Sequence, residues 1–149
     1  MARNRRITLI IDSCLKDVEF LGVAVHGICR EAGFSPKTAK RIKACIVEAA
    51  NNVIKHAYEN RSGNPVEVVC EQHDDQMVFF VSDQGISMGQ LEPRELDFDP
   101  DDTENLPEGG MGLYIIQRIM DSVQYVSRDG KNIFIMTRKF SEQEKKDRA

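Results

Sequence analysis

Apolar positions recur at helical spacing over 36–58 (PKTAKRIKACIVEAANNVIKHAY). At 100° per residue, Ile42, Ile46, Ala50, Val53, Ile54 and Ala57 share one stripe, while Glu48, Asn51, Asn52, Lys55 and His56 gather opposite. The pattern predicts an amphipathic core helix. Ser35 is placed to cap it, Pro36 suits its first position, and the 60–65 stretch with Gly63 ends it. Its middle breaks a local rule. Asparagine side chains compete with the backbone for hydrogen bonds, so Asn51 and Asn52 together oppose helix by roughly half a kcal/mol each relative to alanine. Such conflicts are expected at functional positions. The four-residue spacing of Glu48, Asn52 and His56 puts a carboxylate, an amide and an imidazole in one row, which could hold a metal-bound anion; a plain solvent face is the alternative on the helix alone.

The other elements follow from periodicity. RITLII (6–11) alternates as a strand with Ile7, Leu9 and Ile11 on one face. A helix comes next, capped by Asp12 or Ser13, striped by Leu15, Val18, Gly22, Val25 and Cys29, and stopped by Gly33. VEVVCEQ (66–72) and MVFFVSD (77–83) read as a hairpin across Asp74-Asp75, the second apolar on both faces like an inner strand. GLYIIQRIMDSV (112–123) reads as an apolar helix, and 123–127 with 132–140 as a second hairpin across Asp129-Gly130. The tail SEQEKKDRA is expected to fray. Between them, 84–109 has no periodicity. Glu92 to Glu108 holds eight acidic residues against Arg94, so a loop of that length reads as a mobile lid or a solvated insert.

A length of 149 residues suits one domain, and 41% apolar with 30% charged residues is ordinary for a globular chain, so no second domain is expected. A net charge of −4 argues against direct nucleic-acid binding, and the short basic start (Arg3, Arg5, Arg6) reads as solvated. No apolar run is long enough to span a membrane and no signal peptide follows Met1, which predicts a cytoplasmic protein. Cys14, Cys29, Cys45 and Cys70 lack paired spacing and read as buried, reduced thiols. His26 reads as a surface or core-edge histidine.

Two further motifs carry chemistry. The inner strand ends in Asp83-Gln84-Gly85, where a carboxylate can accept from an exocyclic amine such as that of adenine and a glycine permits close backbone approach. Glu108-Gly109-Gly110-Met111-Gly112-Leu113 runs into a helix, where free N–H groups and the positive dipole end suit phosphate. It is neither a dinucleotide fingerprint nor a P-loop, since no strand precedes it and the lysine is missing.

Taken in order, E-x-x-x-N-x-x-x-H-A-Y on a helix, D-Q-G after a strand, a long loop and G-G-M-G-L into a helix resemble the N box and the two glycine boxes of the GHKL (Bergerat-fold) ATPases. Within that superfamily, EAANNVIKHAY and EGGMGLYII are most similar to the bacterial anti-sigma-factor serine/threonine kinases, and the resemblance covers about 6–140. It implies a single α/β (α+β) two-layer sandwich, with a mixed, mostly antiparallel sheet carrying helices on one face and an ATP lid at about 87–108. It implies ATP and magnesium as cofactors, with Asn52 as the magnesium ligand and Glu48 as the base for the attacking hydroxyl. Asp83 then reads the adenine amine and Gly85 lets the base sit close. Gly109, Gly110, Met111, Gly112 and Leu113 line the phosphates, with Lys55 and His56 nearby. The implied partners are an anti-anti-sigma (antagonist) protein as phosphoacceptor, a sigma factor and a second copy of the chain. Two departures stand out. Ser87 replaces the second glycine of D-x-G-x-G, and Pro107-Glu108 stands where some relatives carry an arginine. The rivals are a binding module without phosphotransfer and a detached histidine-kinase catalytic domain. The second is disfavoured because no dimerisation helix with a phosphoacceptor histidine precedes the domain.

Overall fold

Helix punctuation and strand alternation together dictate a two-layer α+β sandwich, seen in a computed structural model that describes residues 4–87 and 112–148. The order is β1 (Arg5–Asp12), α1 (Leu15–Ala32), α2 (Pro36–Asn52), a π-helical turn (Val53–Ala57), β2 (Pro65–Gln72), β3 (Gln76–Asp83), α3 (Gly112–Ile119), β4 (Ser122–Arg128), β5 (Lys131–Lys139) and α4 (Glu142–Arg148). The sheet order is β1-β2-β3-β5-β4, and every pairing is antiparallel. The parallel pairing that a mixed sheet would contain is therefore absent among the described strands. Both expected hairpins form. The β4–β5 turn puts Asp129 at φ 54° and Gly130 at φ 75°, the two positive angles that an Asp-Gly two-residue hairpin loop requires.

Side-chain alternation sets the layers. Val66, Val68, Cys70, Met77, Phe79, Val81, Phe134 and Met136 point to one face and join Val25, Ile42, Ile46, Val53 and Ile116 of the helical layer in one buried cluster. Burying one side chain of the size of Phe79 or Phe134 contributes roughly 1.5–3 kcal/mol. On the other face Ile10 is exposed, and Phe80, Ile133 and Ile135 are half-buried. Helices α1 and α2 approach closely at Gly22, where a Cβ would come within 3.1 Å of both Lys43 and Val47.

Several boundaries depart from the sequence reading. Ser13 does not cap α1. It is buried, donates to the Arg61 carbonyl and accepts from the Asn64 N–H, while Cys14 occupies the cap position without a side-chain bond. Leu15 faces solvent, and Leu21 and Ala32 fill the stripe in its place. Gly33 stops α1 as expected, at φ 117°, with Phe34 N–H returning to the Cys29 carbonyl. Helix α3 ends at Ile119, four residues early, because 122–123 belong to β4. Cys29, Cys45 and Cys70 are buried, Cys14 only half so, and all four are free thiols.

The tail does not fray. Helix α4 docks through Glu144, whose carboxylate accepts from the Ser35 N–H (2.6 Å) at the start of α2 and from the Ser141 N–H (2.8 Å). Arg148 lies over the Phe140 ring, 4.0 Å from its centroid, and donates to the Asp74 carbonyl. These contacts hold the tail against both the α1–α2 turn and the β2–β3 hairpin. Among the described residues no helix is long and apolar enough to cross a membrane.

Candidate active site

Helix α2 starts as its sequence demands, with Ser35 accepting from the Thr38 N–H and Pro36 at the first position. It carries Glu48 and Asn52 on its half-exposed side, and there regular geometry ends. From Val53 to Ala57 the backbone widens into a π turn, with Tyr58 N–H reaching the Val53 carbonyl at 3.0 Å. The asparagine pair thus sits at a change of helix type, the kind of irregularity found often at functional sites. The extra residue per turn also takes Lys55 and His56, both exposed, out of strict four-residue register with Glu48 and Asn52.

The π turn supports the Asp83–Gly85 turn. The Ala57 carbonyl accepts from the Ile86 N–H at 2.9 Å. A Cβ on Gly85 would collide with that carbonyl oxygen and lie 2.6 Å from its carbon, so only glycine fits without moving backbone. Tyr58 hydroxyl donates to the Pro65 carbonyl (2.6 Å) and accepts from the Gln84 N–H (2.9 Å). Asp83 is 2% exposed at the end of β3. Its Oδ1 accepts from Gly85 N–H (2.9 Å) and from Asn132 Nδ2 (2.8 Å). Its Oδ2 is the buried side-chain polar atom without a hydrogen-bond partner among the described residues. Burial raises the Asp83 pKa above its ordinary value, and the Asn132 and Gly85 bonds oppose that rise. A ligand N–H donor would satisfy Oδ2.

At the other end, Gly112 meets α2. A Cβ there would lie 2.6 Å from Glu48 Oε2 and 3.3 Å from Asn52 Nδ2, so the start of α3, Glu48 and Asn52 converge in one place. Burial also raises the Glu48 pKa, with the Lys55 charge opposing it. Among the described residues no cluster of three or more acidic, histidine or cysteine side chains could hold a metal. One amide oxygen on Asn52 suits magnesium, which takes few ligands from protein and several from phosphates and water. Gly109, Gly110, Met111, the expected lid, Arg94 and Glu108 lie outside the described residues.

Sequence reasoning missed Asn132 and Ser127, and read Tyr58 only as the end of the H-A-Y motif, without its bonds to Pro65 and Gln84. Asn132 had a signal: it shares the inward face of β5 with Phe134 and Met136, and an amide in a buried apolar row needs partners.

The comparisons agree with this geometry. The model of the histidine kinase-like ATPase domain matches residues 15–138. The chain is similar to the serine-protein kinase RsbW of Listeria innocua, 29% identical over 148 residues and covering 97% of this chain and 93% of that one. It is also similar to the serine-protein kinase RsbW of Bacillus cereus, 28% identical over 138 residues and covering 91% and 86%. Among solved structures, the RsbU and RsbW domains of a Mycobacterium tuberculosis protein superpose with a TM-score of 0.64 at 14% identity, covering 90% of this chain and 32% of that one. At that identity the superposition speaks for the fold alone. With the family model spanning most of its length, and the carboxylate turn and asparagine helix in place, the chain belongs to the histidine kinase-like ATPase domain family.

Proposed function

We propose that the chain is an ATP-dependent protein serine/threonine kinase acting in the cytoplasm as an anti-sigma factor. It phosphorylates an antagonist protein and, in the alternative state, holds a sigma factor. The observation that carries the reading is the buried Oδ2 of Asp83, an acceptor without a partner among the described residues and placed for the amine of adenine, in a turn that Gly85 lets pack against the Ala57 carbonyl. The relatives named serine-protein kinases supply the reaction class.

In this reading Asp83 and Gly85 hold the base, and Gly109, Gly110, Met111, Gly112 and Leu113 line the phosphates, with Lys55 and His56 at the edge. Asn52 holds magnesium, which when bound neutralises phosphate charge. Glu48 takes the proton from the acceptor hydroxyl as its oxygen bonds to the γ-phosphorus and the bond to the β-phosphate oxygen breaks, releasing ADP. A carboxylate whose pKa burial has raised is a stronger base than an exposed one. The chain works as a homodimer, without direct nucleic-acid or membrane contact.

One observation favours the binding-module reading. Pro107-Glu108 occupies the place of an arginine that would stabilise the transferring phosphoryl. Incubation with labelled ATP, magnesium and candidate antagonist proteins decides between them. Label on a serine or threonine of one antagonist establishes the kinase. Nucleotide-sensitive capture of a sigma factor without label on any antagonist establishes the module.

A further inference from the structure

Asn132 has no role in the assignments above, yet every polar atom of its side chain is engaged beside the Asp83–Gly85 turn. It is 2% exposed on β5, paired in register with Asp83 on β3 and Ser127 on β4. Its Nδ2 donates both hydrogens, to Asp83 Oδ1 at 2.8 Å and to the Gly85 carbonyl at 3.0 Å. Its Oδ1 accepts from Ser127 Oγ at 2.6 Å. The network fixes which way the amide points, because a flipped amide would set its oxygen against two acceptors. Asp83 is fixed in turn. Turning its carboxylate would break the bonds from Asn132 and Gly85 together, so Oδ2 alone stays open.

We propose that Asn132 is a specificity-determining positioning residue. By tying down Asp83 Oδ1 and the Gly85 carbonyl, it keeps Oδ2 as a fixed, acceptor-only contact that takes a 6-amino purine and refuses a 6-oxo purine. The inference rests on the nucleotide-site reading of Asp83. A 6-oxo group presents an acceptor to an acceptor, and a buried polar pair of that kind leaves both groups unsatisfied. The refusal lasts only while the carboxylate is ionised, since a protonated Asp83 could donate to the 6-oxo oxygen. Burial pushes Asp83 toward that neutral form, and the bonds from Asn132 and Gly85 hold it back. The titratable group facing Asp83 among the described residues is Tyr58, at the end of the π turn. Its own pKa is raised, first by burial and then by Asp83, so it stays neutral throughout the acid range.

The test measures ADP and IDP affinity by calorimetry on the full chain, from roughly pH 5 to 8 where carboxylates with raised pKa titrate. The proteins are wild type, Asn132→Ala, Asn132→Ser and Asp83→Ala. Wild type should prefer ADP over IDP by about 10²-fold, on the order expected for one unpaired buried polar contact. Asn132→Ala should lose about tenfold in ADP affinity, because Asp83 is no longer held in the orientation its bond to the amine needs, compress the preference, and compress it further as pH falls. Asn132→Ser keeps one donor and should restore part of both the preference and the pH profile; if the alanine variant does not fold, the serine variant's intermediate preference carries the same criterion. A folded Asn132 variant that weakens ADP and IDP by the same factor at every pH has only a structural role, and the proposal fails. If Asp83→Ala collapses the preference while the Asn132 variants keep it, the inference about Asn132 fails and the base site stands. If Asp83→Ala changes neither affinity, the base-site reading fails and the inference with it.

Discussion

Two carboxylates mark the two ends of the candidate site, and they differ in what holds them. Asp83 is buried at a strand end, with one oxygen bonded to Gly85 N–H and Asn132 and the other left open. Glu48 is half-buried on a helix one turn before a π turn, and the group that offsets its burial is the charge of exposed Lys55. The first arrangement fixes an atom in space, as reading a base requires. The second sets a carboxylate of raised pKa near a cation, which suits the proton acceptor of the proposed reaction. On the proposed function, preorganisation is concentrated at the end that reads the base, and the other end would be completed by phosphates, metal and acceptor.

The comparison breaks most sharply at Glu48. Glu48→Gln keeps shape and reach but cannot accept the proton, so phosphotransfer to a matched antagonist should fall by about 10²–10⁴-fold while ATP affinity stays nearly constant. Equal transfer rates in the two proteins would remove Glu48 as the base. Gly112→Ala probes the same end without touching the carboxyl chemistry. The added Cβ would meet Glu48 Oε2, the movable end of a side chain, so stability should hardly change. A displacement of about 1 Å at the base can cost up to about 10² in rate, and single-turnover transfer measured beside thermal unfolding would reveal it. Unchanged transfer would show that the contact with α3 does not position Glu48.

At the rigid end, Asp83→Ala should weaken ADP binding by roughly 1.5–3 kcal/mol, the worth of a hydrogen bond to a charged group, and leave the fold intact. Calorimetry on the folded variant checks this, and unchanged ADP affinity would end the adenine assignment. Asn52→Ala offers a useful contrast, because loss of a metal ligand should lower magnesium-dependent affinity and turnover together and spare metal-free ADP binding.

How much of this was legible in the chain depended on the range of the interaction. Ser35, Pro36 and Gly33 act within a turn of themselves, and the structure places them as read. Asp129-Gly130 likewise fixed the last hairpin by local backbone geometry. Ser13 looked like a cap because capping is local, yet its bonds run to Arg61 and Asn64, 48 and 51 positions away. Asn51-Asn52 announced an irregularity without disclosing its form, a π turn closed by Tyr58 N–H on the Val53 carbonyl whose Ala57 carbonyl accepts from Ile86, 29 positions on. Asn132 and the bonds of Tyr58 stayed hidden because their partners lie far along the chain, at Asp83 and Gly85 for the one and Gln84 for the other. The tail read as fraying because a charged heptapeptide has no stripe of its own; the partners of Glu144 include the Ser35 N–H, 109 positions away.

Glu144 is, with Asp83, one of two buried carboxylates among the described residues, and it calibrates both Asp83 and half-buried Glu48. Burial alone would raise its pKa. The N–H groups of Ser141 and Ser35, with the side chains of Ser141 and Thr38, outweigh that effect and lower it below the ordinary value. Donor supply thus orders the three groups, from Glu48 with a nearby cation, through Asp83 with one oxygen satisfied, to Glu144 with both. A carboxylate whose folded pKa is lowered contributes stability that is present above its unfolded pKa and is lost as pH falls through the folded one. Glu144→Gln should therefore destabilise the domain by about 1–2 kcal/mol at neutral pH, through weaker bonds at the start of α2, and the gap from wild type should close in acid. Urea unfolding at neutral pH and again below about pH 4, the ordinary glutamate range, measures both gaps. A gap that persists undiminished in acid would mean that α4 is held by packing of Arg148 on Phe140 and not by the charge of Glu144, and the ordering by donor supply would lose its reference point.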